Sequence, residues 1–340
     1  MDKLTAAGFR AFGPTRAAAK LEWSKAYAKD FMRRYHVPTA EYETFTDAAS
    51  AKAYISSIDF NVVVKADGLA LGKGVIVCEN KAQALNAVDE IMLDKKFGAA
   101  GNALVVERFL KGFEVSLLAF VDGEHYSLMP TSCDHKRALD GDKGLNTGGM
   151  GAYSPCPAFT AEMAEYTRKN IVEPAVKGMI AEGAPFKGVL YFGLMVDGND
   201  VRVLEYNARF GDPETQSVLP LLNSDIYEIF GAVIDGTLDT LDIKWSDKKS
   251  INVVLASGGY PESYKKGCAI TQGKLDSGVR VFYAGVKAGD KGLVTSGGRV
   301  LCVQTEADDF KTAKQRVYDN IMRITFEDCF YRHDIGAKLD

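Results

Sequence analysis

Apolar residues fall along this chain in two rhythms. One is the helical spacing of three and four. Thr15 can cap a helix whose stripe is Leu21, Ala28, Met32 and Tyr35, ending at Val37-Pro38. Lys25 falls inside that stripe, so its ammonium must meet an anion or snorkel to water. Thr46 can cap a helix over Asp47–Ser57, and Asn80 one with Ala84, Leu85, Val88, Ile91 and Met92 inward. Thr160 opens a longer helix, kinked by Pro174 and stopped near Gly183. Ser224 caps another that reaches Ile234 and closes at Gly236, and a last helix spans Asp309–Ile324.

The other rhythm is that of strands. Asn61–Lys65, Gly74–Cys78 and Leu104–Glu107 belong to one compact α/β unit. Glu114–Val121 and His125–Thr131 flank Asp122-Gly123, and Val189–Val196 and Val201–Asn207 flank Asp197-Gly198, so two hairpins are expected. Charged, turn-prone Lys244–Lys249 marks a boundary before the strands Ile251–Ser257, Val279–Val286 and Val300–Thr305. Phe9–Pro14 reads as a short strand and turn with nothing before it to pair with, an exposed edge over residues 1–14. Mixed elements of this kind predict an α/β (α+β) protein.

One strand carries chemistry. If Val201, Val203, Glu205, Asn207 and Arg209 alternate strictly with Arg202, Leu204, Tyr206 and Ala208, then Glu205, Asn207 and Arg209 share a face. A carboxylate and an amide oxygen suit Mg²⁺, and a guanidinium suits a phosphoryl group, which points to ATP chemistry. The alternative is a polar-faced edge strand. The loop Lys65–Gly74 holds Gly68, Gly72, Lys73 and Gly74 between two strands. It is not a P-loop, because Val75 follows Gly74. Its glycines let backbone amides approach phosphates as a lid, with Lys65 a fixed charge at the strand end; it can equally be a flexible hairpin. The connection Glu107–Glu114 joins two sheets, where an adenine edge could bond to backbone and Glu114 to ribose hydroxyls, or Glu114 could be a surface residue.

The segment from Ser132 to about Thr160 has no periodicity and is longer than a compact domain leaves unstructured, so it reads as a functional or solvated loop. Lys136, Arg137 and amides near Gly148 suit small anions. Thr295–Arg299 is a glycine turn that either aims Arg299 at a phosphate or merely closes a hairpin.

Composition narrows the field. With 340 residues, 46% hydrophobic and 25% charged, the chain should hold two or three domains. A net charge of −4 argues against a polyanion such as nucleic acid as partner. The longest apolar runs fall short of the ~20 residues of a membrane span, and no secretory signal opens the chain. None of the six cysteines (78, 133, 156, 268, 302, 329) forms a C-x-x-C pair, so reduced core thiols in a cytoplasmic protein are expected. Only His135 among the histidines has a suggestive neighbourhood.

These pieces, in this order, resemble the ATP-grasp carboxylate–amine ligases, and within them the glycinamide ribonucleotide synthetase family. The likeness is carried by Phe12-Gly-Pro-Thr15, Ser24-Lys-Ala26, Lys65–Ala70 with Gly72–Val75, Asp134–Arg137, Asn146–Pro155, Glu205–Gln216 and Ser296–Val300. It implies an ATP-grasp fold with nucleotide between two subdomains. Residues 1–37 would be a remnant of an N-terminal domain with a linker helix. Residues 38–110 would be the lid subdomain, 111–243 the central one, and 244–340 a C-terminal domain. It implies ATP-dependent joining of glycine to 5-phosphoribosylamine through glycyl phosphate. The alternatives are a non-catalytic ATP-binding fragment, or a ligase for another acid and amine.

On these residues the resemblance implies Lys25 and Lys65 on the ATP phosphates under the Gly68–Gly74 flap. Glu107, Phe109 and Leu110 would hold adenine, and Glu114 ribose. Glu205 and Asn207 would hold Mg²⁺ or Mn²⁺, with Arg209, Lys65 and Asp212 at the chemistry. Asp134, Lys136, Arg137, Asn146, Thr147, Gly148, Gly149, Met150, Asp212 and Arg299 would line the glycine and phosphoribosylamine site. No acid precedes Asp197 on the strand before Glu205, so water or substrate would complete the metal's coordination. The family pattern opens with a βαβ domain, most of which this sequence is expected to lack. Nucleotide binding is expected to outlast ligation unless that domain, or a self-partner, is supplied.

Overall fold

The computed structural model describes residues 1–68, 74–290 and 292–339. It opens with a short helix, α1 (Asp2–Ala6). Residues 9–14 form no strand: Phe9 is left exposed, as an unpaired edge would leave it, but Phe12 and Arg10 meet the protein body. Phe12 stacks on Phe230 with centroids 4.0 Å apart, and Arg10 Nη2 meets Asp235 Oδ2 at 2.7 Å.

The helix expected from Thr15 to Tyr35 is broken at Ser24. Thr15 Oγ1 does accept from Ala18 N at 3.2 Å. After α2 (Lys20–Trp23), however, Ser24 is extended and caps α3 (Lys25–Arg34) by accepting from Tyr27 N. The cause is tertiary: Asp67 Oδ1 accepts from Ser24 Oγ at 3.1 Å and from Ala26 N at 3.0 Å, serving the new helix start.

The first sheet is antiparallel. It comprises β1 (Tyr42–Phe45), β2 (Val62–Ala66), β3 (Val75–Val77) and β4 (Leu104–Arg108), in the order β1-β4-β2-β3. Helices α4 (Ala48–Ser57) and α5 (Lys81–Val88) cover it and give it a core of its own, with Ile55, Val64, Val88 and Ile91 at its centre. Asp47, not Thr46, caps α4: its carboxylate accepts from Ser50 N at 2.8 Å, and an ionised acceptor is the stronger cap.

Next come β5 (Phe113–Asp122) and β6 (Tyr126–Leu128). Val121 pairs with Tyr126, and Asp122 N bonds to His125 O, so the turn centres on Gly123-Glu124, one residue past expectation. The Asp122 carboxylate accepts from the Glu124 and His125 amides, which makes it the turn's first corner. The segment after Ser132 is not irregular. It carries β7 (Cys133–Asp134), β8 (Arg137–Leu139), β9 (Lys143–Asn146) and β10 (Gly151–Ser154).

Helices α6 (Ala161–Thr167) and α7 (Glu173–Ala181) are joined by a π turn over Arg168–Val172, just ahead of Pro174. Then β11 (Lys187–Asp197) and β12 (Asp200–Asn207) complete a four-stranded sheet, β12-β11-β5-β6. Their turn also centres one residue late, on Gly198-Asn199, because Asp197 pairs with Asp200. After α8 (Thr215–Val218), α9 (Ile226–Asp235) is capped by Asp225 rather than Ser224, whose hydroxyl accepts from Lys244 N instead. Gly236 ends it at φ 75°.

The remaining elements are β13 (Lys249–Ser257), β14 (Thr271–Gln272), β15 (Arg280–Tyr283), β16 (Val286–Gly289), β17 (Gly292–Thr295), β18 (Arg299–Ala307), α10 (Phe310–Ile321), β19 (Ile324–Thr325) and β20 (Cys329–Phe330). The strand expected over 279–286 is thus two, parted at Gly285, where Arg299 O and Gly297 Cα leave no room for a Cβ. The six-stranded sheet runs β15-β18-β13-β10-β7, with β20 also on β13. It draws two strands from the middle of the chain. The large core joins this sheet to α3, α7 and one face of the central sheet, and α9 covers the other face. All six cysteines are free, and five are buried. Among the described residues no helix is long and apolar enough to cross a membrane.

Candidate active site

Strict alternation fails on β12. Glu205 pairs with Gly193 and Val203 with Leu194, so Leu204 is an extra residue, a bulge. Val201, Val203 and Tyr206 enter the core, whereas Leu204, Glu205 and Asn207 line a recess. Val201 and Val203 therefore do not share the face of Glu205, contrary to expectation, because the bulge resets the phase. Glu205 and Asn207 do share one. Arg209 lies past the strand end and joins them, donating from Nη2 to Asn207 Oδ1 at 3.3 Å. Glu22 on α2 holds this corner: its carboxylate accepts from Arg209 Nε at 3.1 Å and Ala208 N at 3.0 Å.

Three lysines face the same recess. Lys65, on β2, meets Glu107 Oε1 at 2.5 Å and donates to the Leu204 carbonyl at 3.3 Å. Lys29 meets Glu107 Oε2 at 2.5 Å and donates to Thr39 Oγ1 at 2.6 Å. Lys25 does not snorkel: at the start of α3, its Nζ donates to Gly68 O at 3.2 Å. Burial pulls Lys25 below the usual lysine range against the attraction of Glu205. Burial also pulls Lys29 down to about 8 against that of Glu107. Burial opposes the Glu107 charge, but Lys65 and Lys29 outweigh it and keep the carboxyl below its ordinary range. Burial likewise opposes Glu205, and Lys136, Lys65 and Lys25 outweigh it.

Two adjoining recesses meet here. One, of about 320 Å³, is lined by Glu22, Lys25, Lys29, Gly68 and Gly74. The other, of about 280 Å³, is lined by Glu107, Phe109, Leu110, Glu114, Asp134, Lys136, Asn146, Thr147, Gly148, Asp212 and Glu214. Lys65, Val75, Leu204, Glu205, Asn207 and Arg209 line both. Gly72 and Lys73 lie outside the described residues.

The second recess is rich in opposed charges. Lys136 meets Glu114 at 2.5 Å. Burial disfavours the Lys136 ammonium, but Glu114, Tyr191, Glu205 and Asp134 outweigh it and hold it well above the usual range. Asp134 Oδ1 is buried without a hydrogen-bond donor. Burial, then the nearby Glu214, pushes the Asp134 carboxyl well up. Glu214 Oε1 accepts from Tyr191 Oη at 3.0 Å and Ser116 Oγ at 3.3 Å.

Four residues expected at the substrate side are placed otherwise. Met150 is fully buried, with its amide on His135 O. Arg137 is on the exposed β8–β9 hairpin and bonds to Gly144 O at 2.7 Å. Gly149, at φ 112°, packs against Asp134 Oδ1 and Pro213. Arg299 supports the site from behind, with Nη1 on Gly148 O and Asp212 O at 2.8 Å each and Nη2 on Asp212 Oδ2 at 3.1 Å. Sequence pattern does not single out Glu22, Lys29, Glu214 or Tyr260, whose hydroxyl accepts from Gly148 N at 3.0 Å. For Lys29 a signal exists: it follows Lys25 by four residues, on the same helix face.

Residues 23–215 match the phosphoribosylglycinamide synthetase ATP-grasp (A) domain, and residues 250–338 match the C domain of the same enzyme. The chain belongs to the phosphoribosylglycinamide synthetase family. Phosphoribosylamine–glycine ligase of Streptococcus pyogenes serotype M18 is 48% identical over 99% of this chain and 80% of its own length. The same ligase of Streptococcus pneumoniae serotype 4 matches equally well. A crystal structure of phosphoribosylamine–glycine ligase from Thermotoga maritima superposes with a TM-score of 0.87 at 34% identity, covering 95% of this chain and 81% of that one. Biotin carboxylase of Campylobacter jejuni, at 16% identity and TM-score 0.77, covering 97% and 72%, shares the fold.

The match to an ATP-grasp domain implies ATP, whose phosphates a divalent metal commonly accompanies. The residues present fit both. Glu205 and Asn207 offer oxygen ligands to a hard cation, and three lysines with Arg209 ring a space suited to phosphates.

Proposed function

We propose that this chain joins glycine to 5-phosphoribosylamine at the expense of ATP, giving glycinamide ribonucleotide, a step of purine biosynthesis. The observation that carries the assignment of sites is the shared wall. Lys65, Glu205, Asn207 and Arg209 border both recesses, so a nucleotide in one and an acid in the other would meet there. In this reading Lys25 and Lys65 take the phosphates, and Gly68 and Gly74 border the same recess. Phe109 and Leu110 lie against adenine, and Glu114 near ribose. Glu205 and Asn207 would hold Mg²⁺ or Mn²⁺. The metal would supply neutralisation of phosphate charge and orientation of its oxygens.

The chemistry follows from the acid. A carboxylate is a poor acyl donor because its leaving group would be oxide. Transfer of the γ-phosphoryl to glycine gives glycyl phosphate, whose leaving group is phosphate. The amine then attacks that carbonyl. Lys65 and Arg209 stabilise negative charge that develops on the moving phosphoryl, and they are already held in place by Glu107 and Glu22. Lys136, Thr147, Gly148 and Asp212 border the space for glycine and the sugar phosphate. Asp134, whose carboxyl burial and Glu214 push well up, borders the same space.

The test is ADP release from the full chain with phosphoribosylamine and a panel of amino acids. Release with glycine and not with alanine is expected. Release with alanine and none with glycine would replace the acid, and release with neither would replace the reading.

A further inference from the structure

Glu107 is shared. Its two oxygens each meet a lysine at 2.5 Å, Lys65 on one side and Lys29 on the other. All three side chains are almost wholly buried, at 2% exposure for Glu107, 3% for Lys29 and 6% for Lys65. Lys29 is tied down further by Thr39, whose own hydroxyl donates to Val203 O at 2.6 Å. Two ammonium groups against one carboxylate leave this water-poor cluster with a positive charge.

Were Lys65 and Glu107 alone, the pair would be neutral. Lys65 could then turn to a phosphate only by leaving a buried carboxylate unpaired, which is among the costlier events in a protein interior. Lys29 removes that conflict. It keeps Glu107 compensated while Lys65 answers an arriving anion. We propose that Lys29 is a positioning residue that acts through Glu107: by sharing that carboxylate it leaves Lys65 both fixed in place and charged toward the nucleotide phosphates. This rests on the reading of Lys65 as a phosphate contact.

The test is calorimetric binding of MgATP to the full chain, with no turnover required. Lys65→Met should weaken binding, as that reading demands. Lys29→Met should weaken it about tenfold, and Lys29→Arg, which keeps the charge, should stay within about threefold of the wild type. A double-mutant cycle isolates the route. With Glu107→Gln already in place, adding Lys29→Met should change affinity little, since Lys29 then has no carboxylate to share. That comparison also serves if Lys29→Met alone does not fold, because the double variant buries no unpaired carboxylate. Wild-type affinity in Lys29→Met, or an equal loss with and without the Glu107 carboxylate, overturns the proposal. If Lys65→Met binds MgATP normally, the phosphate reading itself fails. If Lys65→Met is weak and Lys29→Met is normal, only the role of Lys29 fails.

Discussion

Lys65 and Leu204 meet across two sheets: Lys65 Nζ donates to the Leu204 carbonyl at 3.3 Å, at the residue where β12 steps out of register. The bulge thus fastens the first sheet to the wall that carries Glu205. That wall can be tested at Glu205. Glu205→Ala should cut metal-dependent ADP release by about 100-fold or more, with unchanged far-UV circular dichroism. Release near the wild-type rate would remove Glu205 from the metal site.

Glu22 orders the Arg209 corner without itself lying on β12. Glu22→Ala frees the guanidinium and the Ala208 amide together. Turnover should drop about tenfold. Stability should move by less than about 1 kcal/mol, because Arg209 is exposed and the pair is open to solvent screening. Steady-state kinetics beside a urea titration checks both numbers, and a large stability loss with normal turnover contradicts the assignment.

Gly149 has no space for a side chain. A Cβ there would lie 2.3 Å from Pro213 Cδ and 2.5 Å from Asp134 Oδ1, at a backbone φ of 112°. Gly149→Ala should cost about 1–3 kcal/mol in backbone strain alone. It should also push Asp134 from its place and weaken binding of the amino-acid substrate. The urea midpoint and the KM for glycine report the two effects separately.

His135 should make the fold acid-sensitive. Burial, then Arg332, lowers its pKa to about 4, and its Nδ1 lies 3.3 Å from the Gly151 carbonyl. The unfolded chain, with an ordinary histidine near 6.5, takes up the proton first. Its contribution is therefore whole above about pH 6.5 and is lost as pH falls toward about 4. Urea midpoints at pH 7 and pH 5 should differ less in His135→Gln than in the wild type. Equal differences would clear His135 of this role.

Hairpins, most helices and the glycine stops were legible in the sequence, because each rests on residues adjacent in the chain. The errors are local competitions. Asp47 outranks Thr46 and Asp225 outranks Ser224 as caps because a carboxylate accepts more strongly than a hydroxyl. In both hairpins the turn moves past the aspartate by one residue. Long-range causes were not legible. The strand at Gly151–Ser154 is paired along its whole length only by residues beyond 249, with Cys133–Asp134 on its other edge, and the helix break at Ser24 exists because Asp67 reaches it. The bulge at Leu204 leaves no mark in the alternation of side chains. Glu205, Asn207 and Lys65 stood out as chemistry in an otherwise apolar pattern; Lys29 was fainter, marked only by its place four residues after Lys25 on the same helix face.

The seam between β10 and β13 also sets an order in time. Gly151–Ser154 leaves the ribosome long before its neighbour, and it gains that neighbour only once Ser250–Val253 has emerged. The hairpin bearing Glu205 and Asn207 is finished earlier, from residues 187–207 alone. The pairing that carries Glu205 is thus available to a nascent chain before the one that backs the turn at Thr147.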